Sequence, residues 1–208
     1  MNRKIGMTVS LVNAAAVAGF ACSMLLGTNL GSYLSSIFIA LSFVPMICSY
    51  AFYAKKEKKL AGIVAAGFAV MYATLISLVY FAQMTTVRTG GLTAQAAALL
   101  DFQQFGLFFN YDMLGYALMA LSTFFVGLTV CVKSKTDKWL KALLLIHGVF
   151  FITCFILPML GLFTPDMAGT EWIGTAVLEF WCIYFIPISI LSFLYFSKCE
   201  NHRREVNE

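Results

Sequence analysis

Apolar residues run along this chain in six long blocks, and most of the charge is concentrated in the breaks between them. The blocks span about 5–27, 33–54, 60–83, 107–132, 139–161 and 172–197. A helix needs roughly 20 apolar residues to cross the hydrocarbon of a bilayer, and each block supplies them. A helix also satisfies its own backbone polar groups, which hydrocarbon cannot do. The pattern therefore predicts an all-α integral membrane protein, a single six-span bundle over 1–208. The longest connection, 84–106, carries Gly90-Gly91 and then Thr93, a residue able to cap a helix. Leu99, Phe102 and Phe105 fall on one side of such a helix, which predicts a short amphipathic element over about 92–105, lying at the membrane interface between spans three and four.

Composition agrees. The 208 residues are 61% hydrophobic and only 12% charged, with a mean hydropathy of +0.84. A soluble domain of this length could not bury that much apolar surface. The net charge of +4 does not indicate nucleic acid, because the basic residues cluster at span ends. Arg3 and Lys4 precede span one. Lys55, Lys56, Lys58 and Lys59 join spans two and three, and Lys133, Lys135, Lys138 and Lys141 join spans four and five. Lys198, Arg203 and Arg204 follow span six, and Arg88 alone falls on the opposite side. The positive-inside rule then predicts a plasma (inner) membrane protein with both termini in the cytoplasm. Trp139 and Trp172 fall at opposite interfaces, where anchoring aromatics belong. Span one reads as a retained helix in place of a signal peptide.

The six cysteines form no CxxC, and none falls in an outer loop, so neither a disulfide framework nor a zinc site is expected. No metal and no cofactor is expected from the sequence. Small residues line two rows of span one, Ala14, Ala18, Cys22 and Ala15, Gly19, Ser23, and one of span three, Ala61, Ala65, Ala69. Such rows permit close helix contact in lipid, within the chain or between copies. Ser35, Ser42 and Ser49 recur every seven residues on span two, with Pro45 beside them as an expected kink.

The candidate chemistry lies in the polar residues inside the apolar blocks. Asp112 on span four, His147 on span five and Glu179 on span six are titratable, and such residues within spans are costly and usually functional. Asp112 and Glu179 lie about equally far from the outer end of helices running in opposite senses, at roughly 10 Å depth. Side by side they would form a proton or cation site. Asn110 and Tyr116 neighbour Asp112 on span four; Asn13 is the one strongly polar residue of span one, and with His147 it could extend a polar route inward.

These features predict a protein that binds or transports a small molecule or cation through a polar cavity between spans four, five and six. The alternative is a non-catalytic membrane partner, such as a sensor, an immunity protein or a complex subunit. A lipid-modifying enzyme is the least favoured class, because the chain shows no HExxH, GxSxG or DDxxD-like run and one histidine within a span. The expected partners are the lipid bilayer and a small ligand, with a further copy of the chain through the small-residue faces of spans one and three.

Overall fold

The computed structural model describes residues 1–163 and 171–199. The charged tail with His202, Arg203 and Arg204 lies outside the described residues. Those described form helices and turns, with no strand among them. The long helices are α1 (Asn2–Leu25), α2 (Asn29–Tyr53), α3 (Lys59–Ala82), α5 (Leu107–Thr129) and α8 (Glu171–Lys198). A fifth span is built from two pieces, α6 (Lys135–His147) and α7 (Phe150–Met159). Six segments are long and apolar enough to cross a membrane, which fits a multi-pass membrane protein.

The helices form a closed ring. α1 packs between α8 and α2, α3 between α2 and α5, and α6 returns from α5 to α8. Small residues set the closest seams, as lipid-embedded packing requires. Ala65 and Ala69 are fully buried, and the Ser122 hydroxyl donates to the Ala65 carbonyl at 2.8 Å, joining α5 to α3. A side chain at Gly62 would meet the Ala51 backbone at 2.8 Å, so α2 and α3 approach there only because glycine is present. Span one lies against its neighbours through Gly6, which faces the Phe196 ring, and Gly19, which faces Ser35.

The fifth span breaks at Gly148, not at Pro158. Around Gly148 the backbone bonds tighten: Gly148 donates to Leu145, Val149 to Ile146 and Phe151 to Gly148. Phe124 of α5 crowds this point, 3.0 Å from where a side chain would begin, so glycine allows the close approach. Pro158 sits in the last turn of α7, where its missing N–H has little helix left to interrupt. Pro45 likewise lies inside an unbroken α2.

The long connection is also more divided than the pattern predicts. Thr93 caps α4 (Ala94–Leu100), its hydroxyl accepting from the Ala96 N–H at 3.2 Å. The helix then stops, and Asp101 caps a separate 3-10 turn, Phe102–Gln104. Phe102 and Phe105 pack on Phe109, while Leu99 is exposed. Gln83 straps the connection down: its amide donates to the Leu100 carbonyl at 2.7 Å and accepts from the Phe102 N–H at 3.1 Å.

At the lysine-rich end, Ser134 and Asp137 form a reciprocal cap on α6. Lys198 of α8 reaches the same group, 2.8 Å from Thr136 and 3.5 Å from Asp137. This pins the last turn of α8 to the first turn of α6.

Candidate functional site

The polar residues of the spans sort into two groups by whether the protein satisfies them. Asn13 is fully buried and fully bonded. Its amide N–H groups donate to the Ile39 carbonyl at 3.1 Å and the Ser42 hydroxyl at 2.9 Å, and its oxygen accepts from Ser189 at 2.8 Å. One side chain thus ties α1 to α2 and α8. His147 does the same for α6, α5 and α8. Its Nε2 accepts from the Trp181 indole N–H at 3.1 Å, so the ring proton of the neutral imidazole resides on Nδ1 and points at Thr123 Oγ1, 2.8 Å away. The Thr123 hydroxyl passes its own proton to the Ala120 carbonyl at 2.9 Å. The imidazole is therefore held on both sides, joining α6 to α5 and α8.

Asp112 is different. It sits one turn into α5, on the face that meets α3. The two helices run antiparallel, with Ser122 opposite Ala65 and Gly115 against Ile76, and this register sets Asp112 opposite Tyr80. The Tyr80 hydroxyl lies within reach of the Asp112 carboxyl and of the Ser36 hydroxyl on α2. Tyr33, Tyr72 and Tyr116 also lie within electrostatic range of the carboxyl. Two ring pairs frame it: Tyr33 and Tyr80 with centroids 5.4 Å apart, and Tyr72 and Tyr116 at 6.0 Å. Asp112 is only 4% exposed, and its Oδ1 is buried with no hydrogen-bond partner. The Tyr72 hydroxyl, wholly buried in the same cluster, has none either. Buried polar atoms are nearly always paired, so two orphans in one cluster are a marked exception.

A cleft of about 260 Å³ opens beside this cluster at the end remote from the lysines. Asn29, Tyr33, Gln83, Arg88, Asp101 and Gln103 are among its walls. Tyr33 belongs both to the cleft and to the Asp112 cluster, and lies within electrostatic range of Asp101 as well as Asp112. The strap made by Gln83 holds Asp101 at this mouth.

Glu179 is partly exposed on α8, between the exposed Val177, Phe180 and Ile183. One of its carboxyl oxygens, Oε1, is buried without a partner. Around it the bundle is loose. α6 lies against α8, but α7 lies against α5 and buries none of its own residues fully. Asp112 and Cys182 each lie within electrostatic range of Tyr116, and Glu179 lies within range of Cys182, but no hydrogen bond joins the two carboxyls. Asn110, although next in chain to this region, is exposed at the start of α5.

Of the six residues singled out from the sequence, Asp112 and Tyr116 stand together. Asn13 and His147 each head a separate hydrogen-bonded staple, Glu179 stands at the rim, and Asn110 turns outward. Tyr33, Ser36, Tyr72, Tyr80 and Trp181 are not among the residues that the polar pattern of the spans singles out. Trp181 carried a usable signal: an indole deep within a span must place its N–H on some acceptor. Among the described residues no group of three or more His, Cys, Asp or Glu could hold a metal ion. Compared with family models, with curated proteins and with solved structures, the chain finds no match in any of the three.

Proposed function

We propose that this protein binds a small cation, or a small molecule with a cationic end, at Asp112, reached through the cleft of Tyr33, Arg88 and Asp101. One observation carries the reading: a carboxylate oxygen inside an apolar span that no protein group satisfies. On insertion scales such a charge costs about 3 kcal/mol at the centre of a span, an upper bound for Asp112 nearer the helix end. A bound positive charge offsets that cost. The site lies between spans two, three and four, with Tyr116 turned toward span six, where its ring meets Trp181 at 5.6 Å. The positive-inside rule puts the lysine-rich end in the cytoplasm of a plasma membrane, so that the cleft opens outward. Passage of the ligand across the bilayer, the transporter form of this reading, requires the tight seam below Asp112 to part.

Trp181 is close enough to Tyr116 to report occupancy. The test is a titration of the purified full-length chain in lipid nanodiscs with chloride salts of sodium, potassium, ammonium and methylammonium, read by indole fluorescence and thermal shift. At least one cation is expected to act saturably on the wild type and not on Asp112→Asn. Equal responses from both proteins would overturn the reading.

A second reading, a subunit of a larger membrane complex, is favoured by Glu179. A carboxyl partly exposed on a lipid-side helix among Val177, Phe180 and Ile183 suits contact with a polar group of another chain. Under this reading Glu179→Gln lowers the accumulation of the protein in its native membrane without changing cation binding.

A further inference from the structure

Building on the cation reading of Asp112, the geometry points to a ligand class: a small organic ammonium, of the size of methylammonium, in place of a bare metal ion. The argument is a count of what the site can offer. A dehydrated sodium or potassium ion needs a nearly complete shell of oxygens to replace its water. Divalent ions need six or more oxygen ligands, or soft nitrogen and sulfur donors, and no group of such residues is present among those described. The cluster supplies one carboxyl and a few hydroxyls. Asp112 Oδ1 and the Tyr72 hydroxyl are unpartnered, and the Tyr80 hydroxyl is shared between Asp112 and Ser36. The backbone carbonyls of α3 and α5 here are engaged in their own helices.

That set is too thin for a bare ion and matches a primary ammonium. Three N–H groups would find three acceptors in Asp112, Tyr72 and Tyr80. The remaining carbon would find what the rest of the wall provides: the rings of Tyr33, Tyr72, Tyr80 and Tyr116. Aromatic faces attract ammonium groups through their quadrupoles, and aromatic cages are a recurring means of recognising alkylated nitrogen. A desolvated site strengthens this attraction. Ile76 and Leu75 of α3 pack closely against Gly115, one turn further into the span than Asp112, which favours a small ligand.

The test uses the full-length chain in nanodiscs and compares sodium, potassium, methylammonium and tetramethylammonium chlorides at matched ionic strength. Methylammonium is expected to raise the unfolding temperature with the logarithm of its concentration. Asp112→Asn should weaken that binding about tenfold to a hundredfold, the effect of losing a charged hydrogen-bond partner. Tyr72→Phe should weaken it roughly fivefold, and serves as the second variant should Asp112→Asn fold poorly. Sodium or potassium binding more tightly than methylammonium, with the same dependence on Asp112, overturns the ammonium assignment and leaves the cation site standing. Failure of all four salts to distinguish wild type from Asp112→Asn overturns both.

Discussion

His147 and Asp112 are both titratable, both almost wholly buried and both set inside apolar helices, yet the protein treats them oppositely. His147 has a partner for each ring nitrogen, on two other helices. Asp112 has an oxygen with none, beside a tyrosine hydroxyl with none. The lesson is that burial of a polar group does not by itself mark function. A satisfied polar group in a membrane bundle is a fastener, worth about 0.6 kcal/mol per interhelical bond and up to roughly 1.7. An unsatisfied one is a standing cost that stability alone does not explain.

The contrast has measurable consequences in equilibrium unfolding of the purified chain in mixed micelles. The largest effect is expected at the fastener. His147→Ala removes a packed ring and strands Thr123 and Trp181, and should cost about 3 kcal/mol or more. A loss under 1 kcal/mol would erase the distinction. The opposite sign is expected for Asp112→Asn, which removes an unsatisfied buried carboxyl and should stabilise the ligand-free chain, by up to about 3 kcal/mol where that carboxyl is ionised. Destabilisation there would mean that the carboxyl is a fastener too. Asn13→Ala breaks three bonds among α1, α2 and α8 and should cost roughly 2 kcal/mol. The smallest comparison is the cleanest, because in each of two buried tyrosines the substitution removes only a hydroxyl. Tyr50 donates to Ser192 at 2.7 Å, whereas the Tyr72 hydroxyl is unpartnered. Tyr50→Phe should cost about 1 kcal/mol, and Tyr72→Phe should cost nothing or stabilise slightly.

Much of the architecture was legible in the chain. Each apolar block appears as helix within a few residues of its predicted ends, the fifth in two pieces, because hydrocarbon thickness leaves little choice of length. The errors fall where a different force acts. α6 starts at Lys135 and not near 139, since the Ser134–Asp137 cap and the Lys198 contact extend the helix into polar surroundings that hydropathy does not register. The helix expected over 92–105 ends at Leu100, because Asp101 caps the next turn and Gln83 captures the backbone there. The break in the fifth span falls at Gly148, where Phe124 of the neighbouring helix packs close, a tertiary contact that hydropathy does not register.

The sequence alone determined the class, the number of spans and the asymmetry of charge, since each follows from transfer energies that add along the chain. It also named Asp112, Glu179 and His147 as costly residues. Only the tertiary structure decided which of those costs are met. That depends on rotation of each helix about its axis, which small residues such as Ala65, Gly62 and Gly115 set through close packing. A rotation of a third of a turn would give Asp112 to lipid and leave Tyr80 facing a different neighbour, with the same hydropathy at every position.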